Sequence, residues 1–501
     1  MTKSASEYHR QTSYDRHDMK GHGLDWSNQP NVFKGYSDLK TVPLPEVTAW
    51  PQDNLSFLME ESSQAEGTIN VTLEKLSRII RLTHSLTAKA RMSGTAFYYR
   101  SVASAGALYP FELYVAAHGI QGLDDGLYHQ SIGLDALTAL RSGNMMPKVS
   151  DALGVEKAGS PVLVFLLTSI FFRSSWKYRD RAYRYHLLDT GHLAENLLLA
   201  LRAEDFPPTL YYDFDDEKVN DLLGVDPCRE ACLALVCLWG KETSSQKEQR
   251  DLDAPAKTLM DASQVSALEV DYGLIRDVHT ASSRVVAPTQ GVPKMLHNLG
   301  LKTGPAQDIP RPDPWPEVMN YAEAVFKRRS RRNFVQIELS VTRLAALLSL
   351  LCGTGYEPED APVAQKEALS VGFLSGNVQD LNPGFYVLDL EQGQMSLSSQ
   401  GFVIDKMARV CLDQAWLANC ALHFVFLTNL ILLEETWGPR GYRYAMLTAG
   451  RLGQRIYLGT TAMGMGCCGI GAFYDDEAAQ LLGLNEQTSL LYLVAAGPLK
   501  R

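Results

Sequence analysis

Apolar residues recur at helical spacing from Thr72 to Leu86, where Leu73, Leu76, Ile79, Ile80 and Leu82 share one face, so the stretch predicts an amphipathic helix. Val341 to Leu351 gives the same pattern in the second half of the chain. Glu112 to Ala117 reads as a strand, followed by a turn and Gly126-Leu127-Tyr128, a triplet that returns as Gly384-Phe385-Tyr386. Val162 to Thr168 and Ala421 to Thr428 are continuously apolar, as central strands buried on both faces are. Ala234 to Trp239 and Leu490 to Ala495 read as closing strands. The helix after Arg181 is apolar nearly all round, with Leu187, Leu188, Leu193, Leu197, Leu198 and Leu199, which predicts burial on several sides, as at a contact between domains.

These echoes belong to one long repeat. Residues 178 to 226 align without a gap on residues 437 to 485, at an offset of 259 over 49 positions. Arg181, Tyr183, Arg184, Tyr185, Leu188, Gly191, Leu193 and Leu199 recur as Arg440, Tyr442, Arg443, Tyr444, Leu447, Gly450, Leu452 and Leu458. Farther on, Phe214, Asp216 and Leu222-Leu223-Gly224 recur as Phe473, Asp475 and Leu481-Leu482-Gly483. A period this long indicates a duplicated domain, not a solenoid. Each half mixes strands and helices without strict alternation, an α+β pattern. The expected boundaries are a domain over 1–240, a linker over 241–316 and a second domain over 317–501. Residues 1 to 50 read as an irregular arm. Residues 241 to 315 lose periodicity and are rich in Pro, Ser, Gln and charge, as a long connector is.

Composition narrows the function classes. At 501 residues the chain has room for two sizeable cores. A formal charge of −10 argues against nucleic acid as the main partner. No apolar run reaches membrane-spanning length, and the polar N-terminus gives no secretory signal. The eight cysteines have neither disulfide nor zinc spacing, so no metal site is expected, and Cys228, Cys232 and Cys237 read as buried thiols. A reduced, cytoplasmic protein is the expectation.

Four constellations carry candidate chemistry. Lys327 to Arg332 places five cations in six positions on an acidic chain; it is either a solvated helix face or an anion clamp whose guanidinium forks match a phosphate. Gly464-Met465-Gly466-Cys467-Cys468-Gly469-Ile470-Gly471 satisfies GxGxxG, but it closes a helix instead of opening one, which speaks against a Rossmann site. Its four glycines suit a helix cap and turn, or backbone lying close against a flat ligand. The first half has Asp205 to Tyr212 in those slots. Arg100 to Pro110, containing Ser104-Ala105-Gly106, either enters a sheet as a plain loop or covers a ring ligand with its hydroxyl and backbone donors; the second half loses the pattern. Lys177-Tyr178 is either an exposed pair or, beside a ligand, a pair of proton-transfer groups.

The run KRRSRRNF resembles the opening RRSxRxF motif of the flavin-dependent nitroreductase fold. The Arg-Tyr-Arg-Tyr helix, the SAGALYP loop, the GLYH turn and the N-terminal YHRQTSY segment resemble its SagB-type dehydrogenase branch. The resemblance covers roughly 7 to 240 and 317 to 501. It implies tandem FMN-dependent nitroreductase-like domains forming an intrachain pseudo-dimer. Arg328, Arg329, Ser330 and Arg332 would hold the FMN phosphate, with Lys500 and Arg501 assisting. Cys468, Gly469 and Gly471 would present backbone to the isoalloxazine, and Ser104, Ala105 and Gly106 would cover it from the other half. The halves are complementary. The second keeps the clamp and the glycine loop. The first keeps the covering loop and Lys177-Tyr178, and its clamp equivalent, His9 to Ser13, has a single arginine. One composite site per chain is the expectation.

SagB-type enzymes oxidise azoline rings of ribosomal peptides to azoles, so the resemblance implies a peptide substrate and a cyclodehydratase as partner. Lys177 or Tyr178 would accept the proton. The alternatives are an NAD(P)H-dependent nitro or quinone reductase and a flavin-free scaffold that docks a peptide. The fusion fits a monomer, and a homodimer stays open.

Overall fold

Two antiparallel sheets of the same strand order account for the repeat. The computed structural model describes residues 4–19, 21–59, 69–92, 95–155, 159–240, 257–288, 291–352 and 366–500. Its strands are β1 (Thr41–Pro43), β2 (Leu86–Met92), β3 (Thr95–Arg100), β4 (Phe111–Ala117), β5 (Gly126–Ser131), β6 (Ala136–Ser142), β7 (Pro161–Ile170), β8 (Thr209–Tyr211) and β9 (Glu230–Trp239). The second half adds β10 (Ala306–Asp308), β11 (Ser370–Ser375), β12 (Gly384–Asp389), β13 (Gln394–Gln400), β14 (Leu422–Asn429), β15 (Gly466–Ile470) and β16 (Thr488–Gly497). The first sheet runs β1-β6-β5-β4-β7-β9-β8 and the second β10-β13-β12-β11-β14-β16-β15, while β2 and β3 form a separate hairpin. The irregularities recur too. The register slips at Leu127/Tyr128 and again at Phe385/Tyr386, and at Leu167/Thr168 and again at Phe426/Leu427. An extra residue in one strand bends the ladder, so the duplication copied these local bends along with the topology.

Each sheet is the middle layer of an α+β domain. In the first, Tyr114, Ala116, Val164, Leu166, Leu235 and Cys237 turn one face toward helices Met146–Leu153 and Asp216–Leu223. The opposite face meets the long helix Ala182–Arg202, which packs on β4, β7, β9 and the helix Leu73–Thr83. In the second, Gly441–Ala462 packs on β15, β16 and Val341–Cys352, and Asp475–Leu482 packs on β16. Continuous burial along β4 and β14 follows from helices on both faces. Among the described residues no helix is long and apolar enough to cross a membrane.

By their contacts the residues divide into an N-terminal unit, Gly23–Pro51 with Ser62–Val285, and a C-terminal unit, Met1–His22 and Gln52–Glu61 with Val286–Arg501. Two stretches therefore lie elsewhere than the sequence suggests. The first residues of the arm belong with the C-terminal unit. The Glu434 carboxylate accepts the Ala5 and Ser6 N–H groups, Tyr14 bridges Tyr474, and Arg16 pairs with Glu477. The connector is also more than a spacer. Its described residues form helices Lys257–Asp261 and Gly273–Ala281 in the N-terminal unit and the edge strand β10 in the C-terminal unit. Buried Leu259, Val265, Ile275 and Val278 anchor the first of these segments. Cys232 and Cys237 are buried as expected, but Cys228 is exposed, because it lies in the turn before β9.

Candidate active-site residues

In the C-terminal unit the basic run leaves the helix Tyr321–Lys327 and threads between β15 and the chain end. Ser330 bridges Cys467, the Arg331 N–H donates to the Cys467 carbonyl (2.8 Å), Phe334 bridges Leu499 and the Lys500 N–H donates to the Asn333 carbonyl (2.9 Å). This threading brings Arg328, Arg329, Ser330, Arg332, Cys468, Gly469 and Lys500 to one edge. Arg501 lies outside the described residues. The side chains differ in what they do there. Arg328 is buried, its guanidinium carbon 5.5 Å from the centre of the Tyr457 ring. Arg329 Nη1 donates to the carbonyls of Phe326 (3.1 Å) and Arg328 (2.6 Å), capping the end of the preceding helix. Arg332 is exposed over Trp416. Among the described residues no carboxylate forms an ion pair with Arg331, Arg332 or Lys500.

The glycine-rich segment is neither a simple cap nor a bare loop. Gly464, at φ +70°, ends the long helix, and Gly466 to Ile470 form β15 against β16. A Cβ on Gly466 would sit 2.2 Å from Leu499 Cδ2, and one on Gly469 would sit 1.9 Å from Tyr492 Oη. Close internal packing thus explains both glycines without a ligand. The Gly469 N–H donates to Tyr457 Oη (2.7 Å), which lies 3.0 Å from Ser330 Oγ, so that backbone donor is engaged inside the unit. Gly471 follows the strand, half-buried. Burial pushes the Cys467 thiol well up and the Cys468 thiol up to about 11, although the Arg332 guanidinium pulls Cys468 down. Both stay protonated at neutral pH and act as small fillers.

In the N-terminal unit the other predicted residues come together. The helix Phe171–Tyr178 stops where Arg179 adopts φ +49°, leaving Lys177 and Tyr178 half-buried at its end. They face the turn at Gly106: a Cβ there would meet Tyr178 Oη at 2.5 Å and Lys177 Nζ at 3.2 Å. Gly106, Ala107 and Tyr109 all have positive φ, at 62°, 53° and 48°. Such backbone costs of order 1–3 kcal/mol per non-glycine residue and persists only where its surroundings hold it. The sequence reading gives the Ser104 hydroxyl and the loop backbone to a ligand. Instead, Ser104 Oγ donates to Asp189 Oδ2 (2.6 Å) and the Ala105 N–H donates to Asp189 Oδ1 (3.0 Å). Those donors are turned inward because the Asp189 carboxyl on the long helix is only 3% exposed and needs partners.

A buried polar network continues from this turn. Arg173, one helical turn before Lys177, donates through Nη1 to the Tyr109 carbonyl (3.2 Å) and to Glu112 (2.6 Å), and His129 Nε2 lies 2.9 Å from the other Glu112 oxygen. Burial alone would raise the Glu112 pKa, but the Arg173 charge and the hydrogen bond to His129 hold this carboxyl well below the usual carboxylate range. Nearby, Glu230 accepts from Lys34, Tyr114, Thr168 and Ser263. Asp189, Arg173 and Tyr457 are the residues that sequence reasoning missed. Asp189 left a signal, being a carboxylate in the repeated helix whose repeat partner is Thr448.

The nitroreductase-family profile matches this chain twice, over residues 67–241 and 325–497. A nitroreductase-type protein of Methanocaldococcus jannaschii is 27% identical over 191 residues, which are 38% of this chain and 96% of that protein. The trifolitoxin-processing protein TfxB of Rhizobium leguminosarum bv. trifolii is 26% identical over 232 residues, 44% of this chain and 62% of TfxB. A nitroreductase-type crystal structure from Anabaena variabilis superposes with a TM-score of 0.79 at 25% identity, covering 99% of this chain and 100% of that one.

Proposed function

Since the chain belongs to the nitroreductase family, whose members are oxidoreductases that generally bind flavin, we propose that it is an FMN-dependent dehydrogenase that oxidises azoline rings of a peptide to azoles. The observation that carries this reading is the convergence of Lys177 and Tyr178 on the Gly106 turn. An amine and a phenol held side by side at a half-buried helix end are suited to moving a proton. A relative that processes trifolitoxin supports a peptide as the substrate class.

The donor set of the C-terminal unit fits a flavin phosphate. Arg332 and Lys500 are cations without a carboxylate partner among the described residues, and Ser330 adds a hydroxyl on the same edge. Guanidinium forks match phosphate oxygens, and each charge-assisted bond contributes about 1.5–3 kcal/mol. Arg328 and Arg329 would add field more than direct bonds, because Arg328 is buried against Tyr457 and Arg329 caps a helix. Bound FMN would supply the two-electron acceptor. The ring loses a hydride and a proton as its new double bond forms, and Lys177 or Tyr178 takes the proton. The proposed cyclodehydratase partner would make the azoline.

Replacing Lys177 by Met tests the reading. The variant should keep its yellow colour and FMN content, yet turn over a thiazoline peptide at least about a hundredfold more slowly, the range of a general acid–base contribution. Full activity in that variant would remove the proton-transfer role. Rapid bleaching of the flavin by NAD(P)H without any peptide would favour a nitro or quinone reductase instead.

A further inference from the structure

We propose that Asp189 is a positioning residue whose carboxylate clamps the Ser104–Tyr109 turn onto Lys177 and Tyr178, fixing where the amine and the phenol stand. The inference rests on the proton-transfer reading above. Three observations carry it.

The first is the bonding. One carboxylate receives both the Ser104 hydroxyl (2.6 Å) and the Ala105 N–H (3.0 Å), and Ser104 Oγ in turn accepts the Tyr109 N–H (2.9 Å). Asp189 therefore ties both ends of the turn, directly at Ser104–Ala105 and through one hydroxyl at Tyr109. At the far end Arg173 takes hold of the Tyr109 carbonyl from the helix that carries Lys177.

The second is strain. Positive φ at Ala107 and Tyr109 makes this path unfavourable for a free loop. Without its tether the turn would relax, and Gly106 abuts both side chains so closely that relaxation reaches them.

The third is the duplicate. Thr448 occupies the Asp189 position in the second repeat, and the segment leading into its sheet, Leu369 to Leu374, has no Ser-Ala-Gly turn. Carboxylate and turn were kept together in one repeat and are both absent from the other, as parts of one device would be.

The test compares Asp189→Ala, Asp189→Asn, Ser104→Ala and Lys177→Met in the full-length flavoprotein. At pH 8, losing the carboxylate in Asp189→Ala should speed amide exchange at Ala105, which it binds directly, and at Tyr109, which it holds through the Ser104 hydroxyl, by roughly 10- to 150-fold. Asn keeps an acceptor oxygen, so Asp189→Asn should stay near the parent. Ser104→Ala should free the Tyr109 amide alone. With a thiazoline peptide, kcat of Asp189→Ala should fall by about tenfold or more, with KM and FMN content near the parent values, and Asp189→Asn should recover most of it.

Unchanged exchange in both Asp189→Ala and Ser104→Ala overturns the clamp. Faster exchange with unchanged kcat overturns its positioning role. If Asp189→Ala does not fold, Ser104→Ala decides by the same measurements. Lys177→Met separates the two ideas: full turnover by that variant sinks the proton-transfer reading, while the exchange data still decide whether Asp189 holds the turn.

Discussion

Asp189 shows how much one side chain can carry. Burial raises its pKa to about 7, against the pull of the Ser104 hydroxyl and the Ala105 N–H, from an ordinary carboxyl value near 4. The sign follows from proton counting. Between about pH 4 and 7 the folded chain holds a proton on Asp189 that the unfolded chain has released, so this group's contribution is greatest at low pH and is lost as pH rises through about 7. That displacement corresponds to at most about 4 kcal/mol. Asn at this position does not titrate. The stability of Asp189→Asn relative to the parent should therefore improve between pH 4 and pH 8, levelling off above 7, as measured by paired unfolding curves. A difference that is flat with pH would mean that the carboxyl is ionised throughout. The sequence exposed an acid where the other repeat has Thr448, but its partners lie 84 and 85 residues away and only the fold brings them together.

At the scale of elements, periodicity was a good guide where an element is long and two-faced. The helix expected over Thr72–Leu86 is Leu73–Thr83, and the strand expected over Val162–Thr168 is Pro161–Ile170. It failed where an element is short or where glycine hides the pattern. β10 has three exposed residues and no alternation to detect. β15 contains two of the four glycines, which weaken a strand signal, and its identity follows from pairing with β16. The tightness of that pairing yields a prediction. Gly469→Ala forces a methyl group against Tyr492, so the C-terminal unit should lose about 1–3 kcal/mol, the usual cost of overpacking. Thermal unfolding checks it. A neutral result would mean that Tyr492 swings aside freely, and a close approach to flat ligand would again be the better reason for this glycine.

For the whole molecule, the two family matches and the duplicated strand order establish two nitroreductase domains in tandem. That was legible from the ungapped offset, because a copied fold keeps its buried positions. The boundaries were less legible. The arm at Ala5–Arg16 and the helices at 257–281 earn their place through scattered polar contacts such as Glu434 with Ser6 and Arg229 with Glu269, which leave no period in the sequence. The stoichiometry of the cofactor belongs to this scale as well. The C-terminal unit holds the Arg328–Arg332 strip beside β15, whereas the candidate equivalent in the first repeat, His9 to Ser13, has one arginine, and its His9 is spent on Tyr442. The Ser104–Gly106 turn and the Lys177–Tyr178 pair occur once, in the N-terminal unit. On the proposed reading the chain offers one phosphate strip and one covering turn, which suits a single flavin. The protein should therefore bind one FMN per chain, read as the ratio of flavin absorbance to protein concentration after saturation and desalting. Arg332→Ala should weaken that binding roughly 10- to 150-fold, the value of one charge-assisted bond, without changing the ratio reached at saturation. A ratio near two would show that the losses in both repeats were harmless, and that a second flavin is held by residues other than those named.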